Sequence, residues 1–152
     1  MQKINIGRTI LAGIVAAVLL DLFEFLSNGI LLGPQWADSL KALGVPPLGP
    51  KGIVAFNLWS VVVAFITIWL YVAIRPRFGP GPKTALIAAA VIWLLGWPLG
   101  MVAALAMHEV PRDLALYSSL LGIPEMAIAI LVGASLYKEE PTTAGRAATA
   151  AS

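Results

Sequence analysis

The sequence predicts an all-α membrane protein folded as a bundle of four transmembrane helices. Three observations support this fold class: 59% of the 152 residues are hydrophobic, only 12% are charged, and the mean hydropathy is +0.88. The apolar residues fall into four runs, each near the length of about 20 residues that a helix needs to cross a bilayer. We expect spans at residues 9–32, 53–74, 84–107 and 114–137, within a single domain formed by residues 1–140.

The basic residues indicate the orientation of these spans, because Lys and Arg accumulate on the cytoplasmic side of a membrane. Seven lie on one side and three on the other: Lys3, Arg8, Arg75, Arg77, Lys83, Lys138 and Arg146 against Lys41, Lys51 and Arg112. Both termini are therefore expected in the cytoplasm. The first run begins like a signal peptide, but no small-x-small cleavage site follows, so we interpret it as a retained helix.

The external loop, residues 33–52, predicts a short helix lying in the membrane interface. Pro34 suits a first helical position and Gly44 a C-terminal cap, and Trp36 and Leu40 share one face between them. The alternative is an ordinary loop that Trp36 anchors at the interface.

The cytoplasmic loop, residues 75–83, carries Arg75, Arg77 and Lys83 among three prolines. These lipid-facing cations would attract anionic headgroups, although the simpler interpretation is that they only fix the topology. Residues 141–152 are rich in Ala and Thr, and we expect a disordered cytoplasmic tail.

Three carboxyl groups lie inside the predicted spans, Asp21 and Glu24 in the first and Glu125 in the last. A charge at mid-bilayer costs about 2.5–3.5 kcal/mol on insertion scales, so such residues are rare unless they are used or paired. No Lys or Arg lies deep in any span to pair with them. The acids therefore indicate a functional site.

Residues three or four positions apart share a helix face, and the first and last spans have matching faces. These faces consist of Gly13, Ala17, Asp21, Glu24 and Asn28 in the first span, and Ser118, Gly122, Glu125, Ala129 and Gly133 in the last. In an antiparallel pair, Asp21 would lie opposite Glu125, Asn28 by Ser118 and Gly13 by Gly133. Small residues on both faces permit such close packing. The second span has a polar face of its own: Asn57, Ser60, Ala64, Thr67 and Tyr71.

Two prolines predict helix breaks near the depth of the acids. Pro98, flanked by Gly96 and Gly100, lies in the third span, and Pro124 directly precedes Glu125. Proline cannot donate a hydrogen bond within a helix, and many transporters build ion sites at such breaks. The alternative is that these prolines only kink the helices for packing.

Three neighbouring acids in a low-dielectric region cannot all remain ionised. Either a proton is shared among them or a bound cation, Na⁺ or a hard divalent ion, neutralises them with oxygens from Asn28, Asn57 and Ser118. We expect no other cofactor. The chain has no Cys and one His, which excludes thiolate chemistry, His-ligated haem and a paired Glu-x-x-His di-iron site.

The leading functional hypothesis is a small proton- or cation-coupled transporter or channel. The alternatives are a non-catalytic subunit, whose acids pair with a partner membrane protein, and a structural bundle, in which neutral acids are hydrogen-bonding glue between helices. No motif supports a hydrolase, and we expect no enzyme. Partners would be the lipid bilayer and a second copy or another membrane protein. The net charge of +2 gives no reason to expect nucleic-acid binding.

Three sequence segments resemble a group of small bacterial membrane proteins with four helices: EFLSNG (24–29), IRPRFGPGPKT (74–84) and PE (124–125). The resemblance implies a bacterial inner-membrane location and no particular activity. Small multidrug exporters also have four short helices with a Glu in the first. This chain has a longer external loop and additional acids in its first and last spans. The similarity to these exporters therefore does not imply drug/proton antiport.

Overall fold

The computed structural model describes residues 4–138, in which helices are joined by short connections and no strand occurs. The elements in chain order are α1 (Ile6–Glu24), a π-helical segment (Phe25–Leu31), α2 (Gly33–Ala42), α3 (Pro50–Phe78), α4 (Pro82–Gly96), α5 (Pro98–Ala106) and α6 (Arg112–Ser135). The predicted tail, residues 141–152, and the basic residues Lys3 and Arg146 lie outside the described residues.

Four helical stretches are long and apolar enough to cross a membrane: Ile6–Leu31, Pro50–Phe78, Pro82–Ala106 and Arg112–Ser135. This confirms the predicted all-α bundle of four candidate spans and is compatible with an integral membrane protein. The most buried of them, formed by α6, has 39% of its most apolar window inside the bundle. Most of the apolar surface of each span therefore faces outward, as the hydrocarbon of a bilayer requires.

Helix α1 packs against both α3 and α6, and α4 packs against α3 and α6 in turn. The predicted pairing of the first and last spans is therefore confirmed. Its closest approach is at Gly133, where an added Cβ would lie 2.8 Å from the carbonyl oxygen of Ala12 and 2.9 Å from the Cβ of Ala16. Gly13 instead faces α3, because an added Cβ there would lie 2.7 Å from the ring of Phe65.

The polar face predicted for the second span is buried at four of its five positions: Ser60, Ala64, Thr67 and Tyr71. The exception is Asn57, which is exposed on the outer surface of α3 and whose amide donates to the carbonyl oxygen of Ile53 at 3.0 Å. The prediction that Asn57 lies on the buried face is wrong. Its own helix backbone satisfies the amide, so the side chain does not need a partner in the bundle.

Helix α3 continues to Phe78 and shortens the basic loop predicted at residues 75–83. Arg75 therefore lies in the last turn of a helix, with its guanidinium 5.6 Å from the ring centre of Tyr71 and 4.9 Å from that of Tyr137. These aromatic contacts make Arg75 part of the bundle rather than of a lipid-facing loop. Arg77 and Lys83 are exposed, as predicted.

The short helix predicted in the first long connection is present as α2. Pro34 lies in its first turn, and Gly44 follows it with a φ of 67°, the left-handed conformation of a C-terminal glycine cap. The hydroxyl of Ser39 donates to the carbonyl oxygen of Glu109 at 3.4 Å, which ties α2 to the connection between α5 and α6. Helix α2 therefore lies at this end of the bundle.

Candidate functional site

The site begins where α1 changes to a π-helix, immediately after Glu24. The amide of Leu32 donates to the carbonyl oxygen of Ser27 at 2.7 Å, the five-residue step that defines a π-helix. Such segments are rare and frequently lie at functional sites. Residue spacing did not predict this π-helical segment. The only available signal was the run Ser27, Asn28 and Gly29, three residues of weak helix propensity.

The most buried acid is Glu125 of α6, which is 4% exposed. Neither of its carboxyl oxygens makes a hydrogen bond of good geometry with the described residues, although the Ser27 hydroxyl lies beside it. Helix α6 is continuous through Pro124, so the predicted break there is wrong. Pro124 removes one donor from the ladder, but the surrounding turns maintain the helix.

The carboxyl group that interacts with Glu125 belongs to Glu24, and we call these two groups the carboxyl pair. One oxygen of Glu24, Oε2, accepts a hydrogen bond from the Asn28 amide nitrogen at 2.8 Å. The other oxygen, Oε1, is buried without a hydrogen bond. The Trp97 indole is a further neighbour of the Glu24 carboxyl. The pair is thus enclosed by the π-helical segment, α6 and the α4–α5 junction.

Asp21 was expected opposite Glu125, and the structure puts Glu24 there instead. The face of α1 toward α6 is offset by one residue from the predicted face, since Ala12 and Ala16 rather than Gly13 lie against Gly133. Four-residue steps from Ala12 and Ala16 lead to Glu24. The adjacent face, which contains Gly13 and leads by the same steps to Asp21, turns toward α3. In residues 4–138, no three His, Cys, Asp or Glu side chains converge as a metal site would require, and Asp21 is not among the groups that act on either carboxyl group of the pair.

Asn28 connects the carboxyl pair to two other elements. Its amide oxygen accepts a hydrogen bond from the Ser118 hydroxyl of α6 at 3.0 Å and another from the Trp36 indole of α2 at 3.1 Å. The expected proximity of Asn28 and Ser118 is therefore observed. The contribution of Trp36 was not predicted, because eight residues and a change of helix type separate it from Asn28.

At Pro98, where a break was predicted, the helix has a one-residue interruption, because α4 ends at Gly96 and α5 begins at Pro98. Trp97, at the junction, is 3% exposed, and its ring centre lies 5.1 Å from that of Trp59. An added Cβ at Gly122 would lie 2.7 Å from Cδ1 of Trp97, so this glycine makes room for the indole.

The other two residues predicted at the breaks are not among the groups that act on the carboxyl pair. Gly96 is exposed at the end of α4, and Gly100 is exposed within α5, where nothing lies within 4 Å of an added Cβ. Only Trp97 of this region reaches the site.

The assembled site contains two carboxyl groups with one hydroxyl, one amide and one indole as neighbours: Glu24, Glu125, Ser27, Asn28 and Trp97. Such a set suits a proton, which needs only a donor and an acceptor oxygen, or one small cation. It is less suited to Ca²⁺, which takes 6–8 oxygen ligands. No protein-family model, no curated protein and no solved structure matches this chain. The chemistry of the site, and not a known relative, therefore indicates the function.

Proposed function

We propose that this chain is an integral membrane protein that binds and releases a proton or a small cation at the carboxyl pair. The pair would be the coupling site of a small transporter or channel. The observation that supports this proposal is the burial of Glu125, at 4% exposure and without a hydrogen bond to either oxygen, beside a second acid. Acids buried between membrane helices commonly mark proton and ion pathways.

Electrostatics explains why such a pair would bind a positive species. Removing an ionised carboxylate from water costs several kcal/mol unless it is paired, and two adjacent carboxylates also repel each other. A proton or a cation between Glu24 and Glu125 removes both penalties. The charge of the pair therefore depends on whether the proton or cation is bound.

Irregular helices around the pair favour transport over a purely structural role. Glu24 directly precedes the π-helical segment, and Trp97 lies at the break between α4 and α5. In transporters, interrupted helices of this kind bring unpaired backbone groups to the ion site and permit local movement. The distribution of Lys and Arg supports a cytoplasmic location for both termini, and we infer a bacterial inner membrane from the resemblance of the sequence motifs.

The structural alternative rests on one specific observation, the hydrogen bond from Ser118 to Asn28 at 3.0 Å. This bond joins α6 to the π-helical segment, and polar contacts of this kind hold membrane helices together. In that case the acids would be neutral and permanently hydrogen-bonded. A partner subunit is less favoured, because its basic side chain would have to enter the bundle to reach Glu125.

Flux measurements test the transport proposal. We expect purified protein in liposomes to carry protons or Na⁺ down an imposed gradient, followed with an internal pH- or Na⁺-sensitive dye. Glu125→Gln and Glu24→Gln should each reduce this flux at least about tenfold, because glutamine keeps the shape of glutamate but cannot titrate. Asp21→Asn should retain more flux than either variant, since Asp21 lies on a different face of α1.

Asp113→Asn provides the matched control, because it removes an exposed carboxyl group from the first turn of the same helix as Glu125. Its flux should equal that of the unmodified protein. Equal flux in folded Glu125→Gln and Asp113→Asn, or no flux above empty liposomes under either gradient, would favour the structural alternative.

A further inference from the structure

The hydrogen bonds of Asn28 have a fixed direction, and Trp36 sets it. An indole nitrogen can only donate. The Asn28 atom that faces Trp36 at 3.1 Å must therefore be the amide oxygen, which also accepts from Ser118 at 3.0 Å. The Asn28 nitrogen is consequently the atom that faces Glu24, at 2.8 Å.

This direction determines which atoms of Glu24 are available for a proton. Oε2 accepts the hydrogen bond from the Asn28 nitrogen, so this oxygen is already engaged on the side of Asn28. Oε1 is buried and makes no hydrogen bond. Oε1 is therefore the Glu24 oxygen that is available to share a proton with the carboxyl group of Glu125.

The two acids differ in the donors that surround them. Glu24 has the Asn28 amide as a hydrogen-bond donor to one oxygen, and the Trp97 indole is a further neighbour. Both oxygens of Glu125 lack a well-aligned donor, with the Ser27 hydroxyl committed to the carbonyl oxygen of Phe23 at 2.9 Å. An ionised Glu125 would thus be poorly compensated, whereas a protonated Glu125 can donate to Glu24.

Few other charged groups lie within the spans, where they could change which of the two acids carries the proton. Residues 53–74 of α3 and residues 84–107 of α4 and α5 contain no Asp, Glu, Lys, Arg or His, and Asp21 is the remaining acid in α1. Asp21 is not among the groups that act on either member of the carboxyl pair.

We propose that the carboxyl pair holds one proton, carried by Glu125 and donated to Glu24, and that Trp36 is the positioning residue that fixes this arrangement through Asn28. The proposal deepens the proposed function and rests on the same pair. It also links α2 to the site. Displacing α2 would remove the Trp36 donor, and the Asn28 amide could then rotate by about 180° and exchange its oxygen and nitrogen. The proton could then move to Glu24.

Infrared spectroscopy of the purified protein in lipid nanodiscs tests this arrangement. The C=O stretching band of a protonated carboxyl group is absent from a carboxylate. At neutral pH, the difference between the unmodified protein and Glu125→Gln should contain one such band. Glu24→Gln should keep a band from protonated Glu125 at a shifted frequency, because its acceptor is no longer a carboxylate. Absence of the band from the first difference spectrum would overturn the proposal.

The role of Trp36 is tested with a matched pair of tryptophan variants. Trp36→Phe should shift or split the band. Trp93→Phe should leave it unchanged, because the Trp93 indole donates to the backbone of Ser119 at 2.9 Å, outside the Asn28 network. Identical bands in the two variants would refute the positioning role. If Trp36→Phe does not fold, Asn28→Leu, which keeps the approximate side-chain shape, should shift the band, and an unchanged band would again refute it.

The infrared and flux experiments test the two proposals separately, so one proposal can fail while the other holds. A band that responds to Trp36→Phe in a protein without flux would contradict the transport proposal and support the shared proton. Flux that depends on Glu125, together with a band that does not respond to Trp36 or Asn28, would contradict only the positioning role.

Discussion

Replacing Gly133 with valine is expected to prevent the normal packing of α1 against α6. An added Cβ would lie 2.8 Å from the backbone oxygen of Ala12, 2.9 Å from the Cβ of Ala16 and 3.1 Å from Ile68. Neither the Ala12 oxygen nor the Ala16 Cβ lies at the end of a flexible side chain. The two helices would therefore have to separate. Overpacking a core typically costs about 1–3 kcal/mol, and we expect Gly133→Val at or above the top of that range.

The measurement is the midpoint of unfolding of the purified protein in detergent, by heat or by increasing SDS. Gly100→Val is the control, because nothing lies within 4 Å of an added Cβ on this exposed residue. Its stability should change by no more than about 0.5 kcal/mol, as at other exposed positions. Equal losses in the two variants would mean that helix propensity, and not the α1–α6 contact, governs the result.

Replacing Trp97 with alanine is expected to destabilise the bundle and impair the site together. Trp97 is 3% exposed and packs against Trp59 and Gly122 beside the Glu24 carboxyl. Truncating a buried tryptophan to alanine usually costs about 3–5 kcal/mol. The change also removes an indole neighbour of Glu24, so the flux should decrease even at temperatures where the variant remains folded.

Trp69→Ala is the matched control, since Trp69 is 58% exposed on the outer surface of α3. Lipid or detergent tails can occupy the space that this indole leaves, because they are as apolar as the side chains of the protein. Its unfolding midpoint should stay close to that of the unmodified protein. A loss as large as that of Trp97→Ala would show that the α4–α5 junction is not a packed part of the core.

Most of the fold could be predicted because its determinants are local in the sequence. The spans follow from the length of the apolar runs, α2 from Pro34 and Gly44, and the break before α5 from Pro98. The pairing of the first and last spans followed from small residues at helical spacing. These signals arise within one helix or one turn, where backbone geometry relates spacing directly to position.

The details of the site could not be predicted in the same way. Residue spacing did not determine which face of α1 meets α6, and the packed bundle has Glu24, not Asp21, beside Glu125. Proline chemistry is the same at Pro98 and Pro124, yet only the first interrupts its helix, since tertiary packing determines whether a missing hydrogen bond becomes a break. The predicted face of α3 likewise began one position too early, at the exposed Asn57.

The sequence by itself determined that four apolar helices form and that acids lie within the first and last of them. It did so because the hydrophobicity of a run and the position of an acid within it do not depend on the rest of the fold. Only the tertiary structure decided that Glu24 and Glu125 interact and that Trp36, Asn28 and Trp97 surround them. These contacts depend on helix rotation and on the π-helical segment, which arise when the helices pack and leave little trace in residue spacing.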